Sequence, residues 1–550
     1  MSSGLHADHE LLLIVSTFLA AAAAVLATDW LALPPKARRE FRPERDIGRF
    51  VADIAMRLLV IAMIYILFFA ISWRPLYSFL GTLSFFLIFT GISRAKFAFI
   101  REPLVFTDIA LVVDVFKYKE IFYATRLNVV FWAGAIGYVF GVSALFFIFE
   151  PHLLPEEGRT LAILGVLAVL LVPGASLFIL PVRRVVSRVV TRCVGRIHLR
   201  VNTRRFGSFG YVTLHFLMWL GKVKETFLDE LAHKLEAVAH EFFGDAHGDR
   251  PPLVVVWQSE SFLDMRHLGV DTLALPHLDA LKKRSARHGR LGNVFEGGYT
   301  LRTEFAVLSG LKPHTLGVDS SYPYLRARNY ADVVWPARFR KSGWRTHFIH
   351  PYERTFFMRH KAIPELGFDK MTMLEEFDHV PRPDAPYVSD RALAERVVNA
   401  CEATDMERGA FIFVASMENH GPWAKGRAGT LEDPVDIYCH ILERSDAALG
   451  HLVEKLDKLD RPVWLVFYGD HAPLLKSFAD PFPDPRTDFV IAPLGSAKAR
   501  DAARQADAEP WDLLDILAEQ AGFMTEMALR TAAPQKQAAR EPFLAHQPAE

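Results

Sequence analysis

The chain has 550 residues, more than one compact domain normally holds, so at least two structural units are expected. Its 63 Lys and Arg balance its 63 Asp and Glu, which excludes a protein that holds nucleic acid by bulk positive charge. The three cysteines, Cys193, Cys401 and Cys439, exclude a disulfide scaffold and a cysteine-based zinc site; at most one bridge, Cys401–Cys439, can close in the C-terminal part.

The balanced total hides a division. Uncharged apolar runs at 11–28, 58–73, 75–93, 127–149 and 160–182 are each at or near the length of a bilayer core. One such run could be a buried core helix; five predict an integral membrane protein, with residues 1–182 as a polytopic α-helical membrane domain. The N-terminus, Met1 to Glu10, carries no Lys or Arg and so lacks the basic flank of a signal peptide. Basic residues gather in 34–50 (Lys36, Arg38, Arg39, Arg42, Arg45, Arg49) and in 94–126 (Arg94, Lys96, Arg101, Lys117, Lys119, Arg126), whereas the turn 150–158 is acidic. The preference of cytoplasmic loops for positive charge therefore puts the first two segments inside and the N-terminus outside.

Residues 183–225 form a distinct connection. Arg183, Arg184, Arg188, Arg192, Arg196, Arg200, Arg204 and Arg205 follow one another with no acidic residue between them, every fourth position from Arg184 on. Val185, Val189, Val190, Val194 and Ile197 fill much of the remaining surface, so the pattern predicts a basic amphipathic helix on an anionic cytoplasmic membrane surface. The apolar run 206–221 is short for a span. Counted as a sixth crossing, it carries the C-terminal domain outside and reconciles every basic loop.

Residues 226–530 have the composition of an α/β domain. Short, continuously apolar runs at 252–258, 346–350, 410–416, 463–468 and 488–493 read as buried strands, alternating with helices at 389–403, where Ser389 is a suitable N-cap, and 437–459. A last helix is expected at 511–522 and a disordered polar tail at 531–550. The alternation predicts a mostly parallel sheet covered on both faces, whose ligands bind beyond the carboxyl ends of the strands.

Polar groups stand at just those ends. Glu260 follows the run at Val254–Ser259, His420 follows Met417-Glu418-Asn419, and Asp470-His471 follows Phe467-Tyr468-Gly469. Thr300 follows Gly297-Gly298, a turn that can deliver a hydroxyl to a helix start, where backbone N–H groups favour a phosphate. Carboxylates, imidazole and hydroxyl together suit one divalent metal, Mn2+ or Mg2+, with Zn2+ also possible, and a threonine activated by it. Each residue has a plainer reading: Thr300 as a helix cap with Glu304 one place beyond the capping-box spacing, Glu260 in a surface ion pair, Asp470 as a cap, His420 as a loop-ordering side chain. Their coincidence at strand ends favours the shared site.

In these motifs the chain resembles the lipoteichoic-acid-synthase and phosphoglycerol-transferase branch of the alkaline-phosphatase/sulfatase-like superfamily. The family's Glu after its first strand matches Glu260, its threonine nucleophile matches Thr300 with Glu304-Phe305 following, and its Gly-Asp-His metal motif matches Gly469-Asp470-His471. Its substrate histidine, in a His-x-Pro-aromatic loop, matches His420. Its aromatic-Trp-x-Arg element matches Phe356-Phe357-Met358-Arg359, with Phe in place of Trp, so that Arg359 carries over as a substrate ligand. The stretch from Arg101 to Asp108 is also family-like. The resemblance implies a metal site of Glu260, Thr300, Asp470 and His471, Mn2+ by preference. It implies an enzyme of the bacterial cytoplasmic membrane with its catalytic domain on the periplasmic or extracellular side. That enzyme moves glycerol phosphate from phosphatidylglycerol to a hydroxyl on a glucan, glycolipid or polymer, through a covalent Thr300 intermediate. A phosphoethanolamine transferase, or a phosphodiesterase of the same superfamily, uses the same residues. The former usually carries several disulfides that this chain cannot form. A sulfatase is disfavoured, because no cysteine stands in a Cys-x-Pro-x-Arg context.

Overall fold

The computed structural model describes residues 2–32, 47–117, 129–222, 224, 226–237, 250–294, 299–480, 482–501 and 504–523. The chain divides into two compact units, Met1–Val223 and Lys224–Glu550. Gly297, Gly298 and the tail 531–550 lie outside the described residues.

The apolar runs of the first unit form helices α1 (Ser2–Ala32), α2 (Ile47–Ser72), α3 (Pro75–Ile100), α4 (Val129–Phe149) and α5 (Arg159–Ser176). Four helical stretches, Asp8–Ala32, Ile47–Ser72, Pro75–Ala98 and Arg159–Ser176, are long and apolar enough to cross a membrane; α4 adds a shorter one, Ala133–Phe149. Large apolar side chains such as Ile148, Phe149, Leu161 and Val172 stand exposed on these helices. That outward apolarity suits lipid rather than water. This is a membrane protein with a C-terminal α/β domain.

Among the described residues, specific polar contacts tie the helices of the bundle together. Thr17 Oγ1 lies 2.7 Å from the Tyr65 hydroxyl, and Arg57 Nη2 donates to Asp29 Oδ2 at 2.6 Å, tying α1 to α2. The Glu150 carboxylate accepts from the backbone N–H groups of Leu76 and Tyr77 at 2.7 and 2.9 Å, so it satisfies orphan donors at the start of α3.

The arginine-rich stretch is two helices, not one. Helix α6 (Leu180–Val194) stops at Gly195, whose φ of 73° a helix cannot accommodate; α7 (Leu199–Phe206) and α8 (Ser208–Gly221) follow. The fourfold spacing of arginines therefore runs in helical register only as far as Arg192.

The second unit opens with α9 (Thr226–Ala237) and is built on eight strands: β1 (Leu253–Ser259), β2 (Arg287–Leu291), β3 (Arg345–Ile349), β4 (Lys370–Thr372), β5 (Ala410–Ala415), β6 (Pro462–Gly469), β7 (Thr487–Gly495) and β8 (Arg504–Gln505). They form one sheet in the order β4-β3-β5-β1-β6-β7-β2-β8. The β4-β3-β5-β1-β6 half is parallel throughout, and β7 runs antiparallel to both β6 and β2. The five expected apolar strands are β1, β3, β5, β6 and β7, each within two residues of its expected bounds. The shorter, more polar β2, β4 and β8 carried no apolar run to mark them.

Helices α10 (Pro276–Arg284), α11 (Thr300–Ser309), α12 (Trp335–Lys341), α13 (Arg359–Glu365), α14 (Asp390–Glu402), α15 (Pro434–Asp457) and α16 (Leu513–Gln520) surround the sheet. Ser389 Oγ accepts from Ala392 N at 3.2 Å, the expected N-cap of α14. One face of β1 and β5 packs Val255, Trp257, Ile412 and Val414 against Leu278, Val397, Ile441 and Leu449 of α10, α14 and α15. Each such aliphatic side chain withdrawn from water contributes about 1.5–3 kcal/mol. Cys401 and Cys439 remain free thiols, so the bridge that the sequence allows does not form.

Candidate active site

The site follows from strand register. Ser259, the last residue of β1, pairs with Gly469, the last of β6, so the next residues, Glu260 and Asp470, emerge side by side. Gly469 is required there, since a Cβ would lie 1.9 Å from the Phe262 carbonyl oxygen. Ser416, just past β5, accepts from Glu260 N at 3.0 Å and steadies the same edge.

Asp470 Oδ1 accepts from Ser261 N at 2.8 Å and His471 N at 2.9 Å, but its Oδ2 is buried without a hydrogen bond. Ser261 Oγ donates to Glu260 Oε1 at 2.8 Å. His471 Nδ1 lies 3.0 Å from the Ala472 carbonyl oxygen, so Nδ1 carries the proton and Nε2 turns a lone pair inward, 3.3 Å from Asp470 Oδ2 and 3.6 Å from Glu260 Oε1.

Thr300 starts α11, yet the cap position belongs to Tyr299, and no side chain caps the helix. The Thr300 hydroxyl points instead into the cluster, 3.4 Å from Glu260 Oε2 and 3.3 Å from His471 Nε2. Thr303 Oγ1 donates to the Asp470 carbonyl oxygen at 2.9 Å and locks the helix start onto the end of β6. Thr300, the most accessible of the four, is only 8% exposed.

These groups are electrically unbalanced as they stand. Burial and the Glu260 charge push the Asp470 carboxyl well above its ordinary range. Burial opposes charge on His471, but the Asp470 and Glu260 carboxylates outweigh it and raise its pKa. Two carboxylates, one inward imidazole lone pair, a hydroxyl and an orphaned buried oxygen fit a divalent cation, and the ligand atoms of Glu260, Asp470 and His471 all lie within 4.8 Å of one another. A second cluster, Asp264, His267 and Asp488, has comparable spacing but is already neutralised. There Arg266 pairs with Asp264 at 2.8 Å, while Arg290 and Lys282 pair with Asp488 at 3.1 and 3.3 Å.

The imbalance sets a pH dependence. A carboxyl whose folded pKa is raised costs stability progressively as pH climbs above its ordinary value of 3.8. Chelator-treated protein should therefore melt at steadily lower temperature as pH rises from 5 to about 7, where the Asp470 carboxyl titrates, and added Mn2+ should remove most of that slope. Equal slopes with and without metal in a thermal melt would contradict this assignment.

His420 stands beyond β5, near enough to feel the charges of His471 and Asp470. Its Nδ1 lies 2.8 Å from the Gly421 carbonyl oxygen, and burial lowers its pKa to about 4. At neutral pH it is uncharged, with Nε2 an open acceptor. Arg427 donates to the Glu418 and His420 carbonyl oxygens at 2.6 and 2.8 Å and fixes the loop.

Arg359, the first residue of α13, is fully buried and committed to protein partners. Its Nε and Nη2 donate to Glu304 Oε1 and Oε2 at 3.2 and 2.8 Å, and Nη1 faces His350 Nε2 at 3.1 Å. Tyr324 also donates to Glu304, and Gln258 Nε2 lies 3.4 Å from Glu304 Oε2. The Arg359 guanidinium lies 5.3 Å over the Phe357 ring, which stacks on Tyr299 beside Thr300. Sequence reasoning brought Glu260, Thr300, Asp470 and His471 to one place, and the structure groups them. It did not find the Glu304–Arg359–His350 network or Ser261. The available signal was the opposite charges of Arg302 and Glu304 set beside the apolar Leu301, Phe305, Val307 and Leu308.

Residues 252–523 match the family model described as Sulfatase, and the chain belongs to that alkaline-phosphatase-like superfamily. Within it, the chain is 57% identical over 520 residues to the capsular polysaccharide biosynthesis protein RkpI of Rhizobium meliloti (strain 1021), covering 94% of this chain and 96% of that one. A putative cyclic β-1,2-glucan modification protein of the same organism is 26% identical over 249 residues, 42% of this chain and 37% of that one. Among solved structures, the phosphoglycerol transferase GacH of Streptococcus pyogenes, in complex with sn-glycerol-1-phosphate, aligns with TM-score 0.45 and 21% identity over 57% of this chain and 86% of that one. The lipoteichoic acid synthase LtaP of Listeria monocytogenes aligns with TM-score 0.40 and 18% identity over 54% and 81%.

Proposed function

We propose that the chain is a phosphotransferase of the bacterial cytoplasmic membrane. It moves glycerol phosphate from phosphatidylglycerol to a hydroxyl of a surface polysaccharide or glycolipid, with its α/β domain on the extracytoplasmic face. The observation that carries the reading is the Thr300 hydroxyl, held at a helix start between Glu260 and His471 rather than used as a cap. The capsular role in the name of its 57% identical relative supports a polysaccharide acceptor.

Glu260, Asp470 and His471, with the Thr300 hydroxyl, would hold the divalent cation, Mn2+ by preference. Such a cation lowers a hydroxyl's pKa and neutralises phosphoryl charge. The chain's own residues supply the rest. Thr300 Oγ forms a bond to phosphorus as the bond from phosphorus to the diacylglycerol oxygen breaks. The proton that Thr300 releases ends on the departing diacylglycerol oxygen, and neutral His420 binds the phosphoglycerol. In the second half an acceptor hydroxyl attacks the phosphoglyceryl-Thr300 ester, its proton returns to the threonine oxygen, and the free enzyme is restored. The N–H groups at the start of α11 face the phosphoryl oxygens. Arg359, fully buried and held by Glu304, acts through the Phe357–Tyr299 stack beside Thr300 rather than by direct contact with the glycerol phosphate.

The free thiols of Cys401 and Cys439 weigh against the disulfide-bearing phosphoethanolamine transferases. The reading is tested by presenting the full chain, reconstituted with Mn2+, with radiolabelled phosphatidylglycerol or phosphatidylethanolamine and measuring diacylglycerol release. Release from phosphatidylglycerol at least about tenfold faster, a gap of roughly 1.4 kcal/mol, is expected. Preference for phosphatidylethanolamine would move the assignment to that class.

A further inference from the structure

The arginine row and the short helix α8 remain unexplained by the catalytic site. We infer that α6 lies in the headgroup layer of one leaflet, where Arg184, Arg188 and Arg192 bind anionic phospholipid, on the face from which the chain leaves the helical unit.

The bundle has two distinguishable ends. At one, Arg74 Nε donates to the Glu150 carbonyl oxygen at 2.7 Å, Leu153 N donates to the Trp73 carbonyl oxygen at 2.8 Å, and α5 begins. At the other, Asp29 pairs with Arg57, and Lys96 Nζ is clamped by Glu102 and Asp108 at 3.2 and 2.7 Å. This clamp, with Leu104 N donating to Ser93 Oγ at 3.1 Å, is what the stretch from Arg101 to Asp108 builds. To this second end are tied α7, through Arg205 on Asp53 at 2.8 and 2.9 Å, and Arg200, donating to the Arg101 carbonyl oxygen at 3.1 Å.

The finish of α8 belongs there too, while its start reaches the middle of α3. Phe209, near its start, packs on Phe85, Phe86 and Phe89 at 4.7, 5.6 and 4.6 Å between ring centroids. Phe216 and Trp219, near its finish, pack on Phe106 at 4.6 and 5.3 Å, and the Met218 carbonyl oxygen accepts from Ser187 Oγ of α6 at 3.0 Å. A crossing helix would have carried Trp219 to the Trp73–Glu150 end. The 14 residues of α8 extend only about 21 Å, against a hydrocarbon core of about 30 Å. Residues 206–221 thus run from the middle of the bundle back to this end rather than forming a sixth span, and Lys222 emerges on the face that carries α6, opposite the start of α1. With the α/β domain extracytoplasmic, as proposed above, this face is extracytoplasmic and the start of α1 lies inside, the reverse of the orientation expected from the basic segments.

On α6, Ser187, Val190 and Val194 are buried, while Arg184, Arg188 and Arg192 are exposed and have no carboxylate partner among the described residues. Beside them Val185, Val189 and Phe178 stand 53%, 52% and 90% exposed. Water satisfies the guanidinium groups but not the valines and phenylalanine; the boundary between headgroups and acyl chains satisfies both. That juxtaposition selects a lipid surface. If the donor reading above holds, on which this last clause rests, the same leaflet supplies phosphatidylglycerol to the α/β domain.

Two measurements on the full chain test this without turnover, so they stand apart from the fate of the donor assignment. In a background lacking the native cysteines, Thr191→Cys and Lys222→Cys should react with a membrane-impermeant maleimide from the same side, and Asp8→Cys from the other. Labelling of positions 191 and 222 from opposite sides overturns the inference. Separately, protein extracted from vesicles of equal phosphatidylglycerol and phosphatidylcholine should retain phosphatidylglycerol selectively. R184Q/R188Q/R192Q should lower that enrichment, by roughly fivefold for each arginine lost. Unchanged enrichment in the folded triple variant overturns the lipid contact, and the labelling arm decides the geometry if that variant does not fold.

Discussion

Thr300→Ala should abolish transfer, with a loss on the order of 10^4-fold or more in turnover, while the melting temperature stays close to that of the parent. The hydroxyl makes no cap and contacts only the Glu260–His471 cluster, so its removal deletes the nucleophile without loosening α11. The helix start is held independently, by Thr303 on the Asp470 carbonyl oxygen. Thr300→Ser keeps an oxygen at the same place and should retain measurable activity. A Thr300→Ala protein with turnover within tenfold of the parent would show that the threonine is a spectator and that water is the nucleophile.

Arg359→Met should have the largest effect on stability. The Arg359–Glu304 pair is buried in full, and Glu304 also accepts from Tyr324. Removing the cation strands a carboxylate in the interior, which costs about 3–5 kcal/mol and should lower the melting midpoint by roughly 10 °C. Arg359→Lys keeps the charge but not the two-pronged contact or the hydrogen bond toward His350, so it should fall between the two. The split between effects separates two roles. A residue serving only as a substrate ligand would raise KM with an unchanged melt, whereas the packing seen here requires the melt to move as well.

Much of this architecture is written plainly in the residues. Strand β1 reads as strand because Leu253 to Trp257 is an unbroken apolar run buried on both faces, and the same holds for β5 and β6. The residues after β1 and β6 were legible as a site because polar groups at the ends of such strands have few other reasons to be there. What was not legible depends on tertiary packing. Strand β2, Arg287 to Leu291, is a polar ribbon that becomes a strand only through its partners β7 and β8. Glu304 looked like a misplaced capping residue because its partner lies 55 positions away, on α13. The stripe of arginines looked like one helix because the fourfold spacing continues through Gly195, where the backbone turns.

The central claim, a threonine that carries the phosphoryl group, is tested most directly by peptide mass spectrometry. The Mn2+-loaded full chain would be incubated with phosphatidylglycerol in the absence of acceptor and then digested. The account predicts a glycerol phosphate adduct on the peptide containing Thr300, absent from the Thr300→Ala protein. Diacylglycerol release with an unmodified Thr300 peptide, trapped at any time during turnover, would contradict it.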